Sequence, residues 1–199
     1  MEMNNRMTNE EAQDLRNQLI KLHSEPKNEA GESEKLDAII ISKLADRKNI
    51  DSIKANQLSL KALNDMGNIA HRIDRKKTYL DLLSPLYLHV TVLARKANVN
   101  LGTAIDKHEL TPDYMEQENA VIQLNFCLYN LACAACDLSD KSFMSSSNEQ
   151  DIKDVQSQAV RAIVNFVGCL DYLAKSKKSS IESVQRNVLR NLDQLINLI

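Results

Sequence analysis

The sequence predicts an all-α protein, a multi-helix bundle, on three observations. Apolar residues recur at three- and four-residue spacing through most of the chain. Glycine and proline, 4 and 3 of 199 residues, are too scarce to supply the tight turns of a strand-rich fold. Helix-capping residues also stand ahead of successive apolar runs, twice followed by an acid three residues on. Aromatic residues are 4% of the chain and tryptophan is absent, so leucine, isoleucine, valine, alanine and methionine must build the core. A chain of this length buries about 70% of its unfolded surface, enough to fold without a metal or a disulfide.

Thr8-Asn-Glu-Glu11 reads as a capping box opening an amphipathic helix to about residue 23, with Leu15, Leu19, Ile20 and Leu22 as its stripe. A polar connector with Pro26 and Gly31 follows, and Ser33 then caps a second helix to about Arg47. After Asn49-Ile-Asp51 a longer helix runs to about Lys77, its stripe read as Leu60, Leu63, Met66, Ala70 and Ile73. Ser84-Pro85 predicts a break and a new helix from Pro85 to Ala97, because proline suits a first helical position and serine caps well. That segment is apolar nearly all round, which predicts a central place. Asn100 caps a helix over 101–109, and Thr111-Pro112-Asp113 starts another to about Asp137 with Val121, Leu124, Leu128, Leu131 and Ala135 buried. The serine-rich stretch 139–150 reads as a loop. Helices over 151–175 and 180–198 close the chain, the last opened by a second capping box, Ser179-Ser-Ile-Glu182.

Residues 93–104 match 173–184 at an offset of 80, with Leu86 against Phe166, Val90 against Leu170, Leu101 against Ile181 and Ala104 against Val184. The expected organisation is an N-terminal helical pair over 1–50 and two related helical units in tandem, 52–110 and 112–199.

Net charge is −2 with both signs interspersed, a balance that does not favour nucleic acid or anionic lipid. The first residues lack the apolar core of a secretion signal, and no uninterrupted apolar run approaches about 18 residues, so a cytoplasmic protein without a membrane span is expected. Cys133-Ala-Ala-Cys136 lies inside a helical pattern rather than at a helix start, where a redox pair would gain a lowered pKa. All four cysteines, Cys127, Cys133, Cys136 and Cys169, are therefore expected to be small buried hydrophobes. The histidines, His23, His71, His89 and His108, have no neighbour at ligand spacing, and His89 is expected to be a hydrogen-bonded packing residue. No phosphate-binding or nucleotide-binding glycine loop and no nucleophile elbow occurs.

The run LLSPLYLHVTVLARKANVNLGTAIDKHEL resembles the third and fourth helices of the MazG-like all-α nucleoside triphosphate pyrophosphohydrolases, in pattern and over about 55 residues per unit. The resemblance implies a bundle in which E-E-x-x-E on one helix and E-x-x-D on the next hold Mg²⁺ against a triphosphate. Where the family keeps its glutamates this chain has Asn64, Asp65 and Asn68, then Leu-Ser-Pro-Leu; the second unit has Asn125, Phe126 and Tyr129. A cation would find no charged oxygen shell there, so the resemblance implies a degenerate, noncatalytic bundle with no catalytic residue and no cofactor. One acidic set does have the spacing: Glu10-Glu11-x-x-Asp14 and Glu34-x-x-Asp37, with 19 residues between Asp14 and Glu34. These five would be the metal ligands of the alternative reading, a Mg²⁺-dependent nucleoside triphosphate pyrophosphohydrolase. Acids in a first helical turn equally serve to oppose the helix dipole.

Residues 93–108 also have the outline of a helix-turn-helix, with Thr103, Asp106 and Lys107 at recognition positions, which makes a DNA-binding regulator the second alternative. The only basic cluster near it is Arg72, Arg75, Lys76 and Lys77, so nucleic acid is the less expected ligand. The leading expectation is a noncatalytic helical protein that binds another protein, a second copy of itself in a homodimer, or a nucleotide.

Overall fold

The computed structural model describes residues 31–47, 49–107 and 117–199. The helix expected over 8–23, residues 24–30 of the connector after it and the start expected at 111–113 lie outside the described residues. Among the described residues every regular element is helical and there is no strand, as the apolar periodicity predicts. The helices are α1 (Glu32–Arg47), α2 (Ala55–Asp74), α3 (Leu80–Lys96), α4 (Leu101–Lys107), α5 (Gln117–Ser139), α6 (Lys141–Ser146), α7 (Glu149–Lys175), α8 (Ile181–Arg190) and α9 (Leu192–Leu195), with 3-10 turns at Ile50–Ser52 and Ile196–Leu198.

The centre is α3. Leu86 through Ala94 are buried without interruption, as a segment apolar all round requires, and α1, α2, α5, α7 and α8 all pack on it. The longest helix pairing is α5 against α7, and α4 is held between α1 and α7. Buried apolar side chains from Leu36 to Ile199 form one continuous cluster. The described part of the expected N-terminal pair, α1, thus joins the same core.

Several local expectations are corrected. Pro85 does not open a helix: α3 begins at Leu80 and carries the proline inside it. The missing N–H costs one hydrogen bond early in the helix. Burial of Leu83, Leu86 and Tyr87 on either side outweighs that loss. The stretch 139–150 is not all loop, because the Asp140 carboxylate accepts the Ser142 N–H at 2.8 Å and starts α6. The box expected at Ser179 sits one residue later: Ser180 caps α8 by accepting the Ser183 N–H. On α2 the buried stripe is Leu58, Ala62, Met66, Ile69 and Ile73, whereas Leu60 and Leu63 face solvent. Both sets have helical spacing, and only the packing partner selects between them.

The α3–α4 and α7–α8 turns share one geometry at the offset of 80. Asn98 and Lys178 adopt φ of 54° and 58°. The Val99 N–H reaches the Ala94 carbonyl at 2.9 Å and Ser179 reaches Ala174 at 3.0 Å. Asn100 and Ser180 then cap the helices that follow. The same C-terminal turn also ends α2, with Lys76 at φ 52°, so it is a general way of stopping these helices and is not peculiar to the matched pair.

Two glycines separate close packing from open helix surface. A Cβ on Gly102 would lie 2.5 Å from backbone atoms of Ser33 and Glu34, so α4 meets the start of α1 backbone to backbone. A Cβ on Gly67, in the middle of α2, would meet nothing within 4 Å. Urea denaturation should therefore show Gly102→Ala destabilised by about 2 kcal/mol or more from forced backbone displacement, and Gly67→Ala stabilised by about 0.5–1 kcal/mol from helix propensity.

Candidate functional site

Two regions carry chemistry beyond ordinary packing: a buried polar network at α1, and an uncharged helical face on the opposite partners of α3.

The network starts at Asp37 of α1, which lies one turn after buried Ser33 and beside buried Leu36 and so faces inward. One carboxylate oxygen accepts from the Tyr87 hydroxyl at 3.2 Å and the Thr91 hydroxyl at 3.4 Å, both on α3. The other accepts the Gly102 N–H of α4 at 3.3 Å. Gln185 of α8 donates to the Tyr87 hydroxyl at 2.8 Å and to the Ser33 carbonyl at 3.1 Å, and accepts from the Ser33 hydroxyl at 3.2 Å. Ser33 is therefore a buried link and not the cap expected of it. The α1 N-terminus is capped from another helix, the Asp106 carboxylate accepting the N–H of Glu34 at 2.7 Å and of Ser33 at 3.3 Å. Among the described residues no buried side-chain polar atom lacks a partner.

Burial pushes the Asp37 carboxyl up to about 6, more strongly than the hydrogen bonds from Gly102, Tyr87 and Thr91 pull it down. The Tyr87 hydroxyl is raised well above its ordinary value by burial first and by the neighbouring Asp37 charge second. Burial likewise raises Asp106, against the pull of the two backbone N–H donors it caps.

Beside the network lies a cleft of about 650 Å³ between α1, α3 and the turn before α4, with Asp37 and Thr91 in its wall and Arg95, Asp51, Asn98 and Asn100 around it. Arg95 and Asp51 approach to 3.6 Å. Of the five acids proposed for Mg²⁺, Glu10, Glu11 and Asp14 lie outside the described residues. Glu34 is half-buried at the start of α1, and both oxygens of Asp37 already serve as acceptors for the protein's own donors. Among the described residues no three His, Cys, Asp or Glu side chains converge at metal-binding distance. Asp65, at a position where the family resemblance expects a glutamate, instead pairs with His89 Nδ1 at 2.8 Å, while His89 Nε2 meets the Leu198 carbonyl at 3.2 Å. His89 is thus the hydrogen-bonded packing residue expected.

Of the proposed recognition residues, Thr103 is half-buried and borders a hollow with Gln156 and Val160 of α7, Asp106 is the α1 cap, and Lys107 ends α4. They sit on a seven-residue helix packed on both sides.

The second region is one that the sequence reading missed. On α5, Ile122, Phe126 and Tyr129 are 62%, 65% and 67% exposed, and Cys133 and Cys136 continue the same stripe. Only Cys127 and Cys169 are buried, their thiols pushed up to about 11 by burial, so the expectation of four buried cysteines is half corrected. On α2, Leu60 and Leu63 are 67% and 45% exposed, followed on that face by Gly67. The two stripes are neighbours. Asn56, at the start of α2, and Cys136, at the end of α5, border one hollow, and the two helices pack along each other, so they run antiparallel with these faces side by side. In a chain that is 26% charged, the exposed positions of α2 from Asn56 to Asn68 and of α5 from Asn119 to Cys136 carry no formal charge. The charged residues within that span of α2 are half-buried and engaged, Lys61 with the Leu198 and Ile199 carbonyls at 2.6 and 2.8 Å and Asp65 with His89. By length and composition α5 is apolar enough to cross a membrane, with 44% of the span buried in the bundle.

No protein-family model, curated protein or solved structure matches the chain.

The Asp37 carboxyl gives a signed pH test. Its folded pKa lies above the unfolded value of 3.8, so between about pH 4 and 6 the native state holds more of its proton than the unfolded state does. This group's stabilising contribution is complete below pH 4 and is lost as pH rises through 6, by on the order of 3 kcal/mol. In urea titrations from pH 4 to 7, the difference between wild type and Asp37→Asn should shift with pH in that direction. A pH-independent difference would contradict the assignment.

Proposed function

We propose that the chain is a noncatalytic helical-bundle protein that acts by binding a protein helix against the uncharged face of α2 and α5. The carrying observation is that face: apolar side chains at helical spacing on two adjacent helices, with no charge at the exposed described positions from Asn56 to Asn68 and from Asn119 to Cys136. Two apolar stripes side by side suit an amphipathic helix, whose apolar side chains recur at every third and fourth position. The resemblance to MazG-like bundles is part of this reading as a scaffold kept after its acidic shell was replaced. In support, Asp65 is committed to His89 and Asp37 to the Tyr87, Thr91 and Gly102 donors.

The hydrolase alternative requires Glu10, Glu11 and Asp14 to meet Glu34 and an Asp37 freed from those donors. The nucleotide-binding version of the leading reading places a nucleotide in the cleft beside Arg95, where one cation faces Asp51. Both predict a nucleotide-dependent rise in melting temperature. The DNA-binding alternative requires α4 to leave α1 and α7, and predicts salt-dependent binding to duplex DNA.

The test pairs a positive with a negative expectation. A photo-crosslinking side chain placed at Phe126 should give a protein adduct that is lost in Tyr129→Glu, while the same probe at Asp154 on the charged face of α7 gives none. Incubated with Mg²⁺ and a panel of nucleoside triphosphates, the protein should release no pyrophosphate above buffer. Release that Glu34→Gln abolishes would contradict the reading.

A further inference from the structure

Resting on the docking reading above, we propose that the occupant of the α2–α5 face is a second copy of this chain, giving a homodimer across a two-fold axis. Three observations lead there. First, Ile122, Phe126, Tyr129, Cys133 and Cys136 follow one another at intervals of four, three, four and three, the heptad spacing by which one helix packs along another at a shallow angle. Second, the area is sufficient. Leu60, Leu63, Ile122, Phe126 and Tyr129, each 45% to 67% exposed, present on the order of 600 Å² of apolar surface, the upper end of what a monomer ordinarily leaves bare. With the surrounding amides the face comes close to the ~800 Å² per partner of a stable interface.

Third, the polar residues around the stripe select the partner. They are amides, among them Asn56, Asn64, Gln123 and Asn125. A two-fold axis brings a surface against itself, so a rim of one charge would repel its own image, whereas amides both donate and accept and are complementary to themselves. A partner chosen by opposite charge would need a charged rim, and among the described residues the exposed positions from Asn56 to Asn68 and from Asn119 to Cys136 carry none. A bilayer is the wrong environment for it: amides in hydrocarbon are left without partners, and the exposed described positions of the face include none of the basic residues that draw an interfacial helix to lipid headgroups.

The experiment uses the full chain. Sedimentation velocity from micromolar to submillimolar concentration should show a reversible monomer–dimer equilibrium, and a photo-crosslinker at Phe126 should yield an adduct of twice the chain mass. Two variants separate association from folding. Phe126→Glu places a charge on an exposed position, and Gly67→Lys does so where a Cβ has open space and helix propensity improves. Each should raise the dimer dissociation constant by at least about tenfold, with melting of the monomer unchanged or higher. A dimer untouched by both variants would overturn the proposal. So would a monomer at every concentration whose crosslink maps within one chain, to residues 8–23, or a monomer that floats with phosphatidylcholine vesicles. A monomer crosslinked at Phe126 to a different protein would overturn the second copy and leave the docking reading standing, whereas no adduct of any kind would end both.

Discussion

One buried carboxylate organises this bundle. Asp37 is the point at which α1, α3 and α4 are tied, and through Tyr87 and Gln185 the tie extends to α8. Apolar stripes bring helices together but slide easily past one another, because hydrophobic contact has no direction. Directional hydrogen bonds in a low-dielectric interior fix the register, and every group in the cluster has a partner. The arrangement carries a cost: an ionised carboxylate out of water is held only by donors from the protein, and its pKa rises to about 6 as a result. The close approach of α4 to the start of α1 at Gly102, and the Asp106 carboxylate that caps α1 from outside, belong to the same device.

The network also bears on chemistry. The acidic pair Glu34-x-x-Asp37 has the spacing of a metal-binding motif, yet Asp37 is buried and both its oxygens accept from the protein's own donors. The same residue type at the same spacing can therefore serve either architecture or metal binding, and the surroundings decide between the two. Around Asp37 those surroundings are two hydroxyls and a backbone N–H, all donors aimed at the carboxylate. The Asp65–His89 pair makes the same point in α2, where an acid is tied to a buried histidine that also reaches the Leu198 carbonyl.

The fold class was legible because three- and four-residue periodicity is a local property of the chain, and the central place of α3 was legible because Leu86 through Ala94 offer no polar side. The features that escaped depend on partners distant in sequence. The α1 cap comes from Asp106, more than seventy residues away, so nothing beside Ser33 could announce it. Pro85 signals a break locally and is overruled by burial on both sides. The exposed face was hidden for a different reason: α5 is apolar over most of its circumference, and composition cannot say which arc the bundle leaves uncovered. Leu60 and Leu63 mislead in the same way, since they have helical spacing and yet belong to the bare side of α2. The useful signal was the run of amides without charge from Asn119 to Asn130, unusual for an ordinary solvated face.

The bundle, tied at α1, α3, α4 and α8 by the buried network, leaves one side of α2 and α5 uncovered, and we read that side as available to a partner helix. The cysteines report on it directly, because two lie on that face and two lie in the core. Thiol labelling of dilute native protein, followed residue by residue with mass spectrometry, should modify Cys133 and Cys136 rapidly, while Cys127 and Cys169 react only as fast as the bundle opens. Protection of Cys133 and Cys136 equal to that of the buried pair would contradict the account, since the face would then be covered by the chain itself.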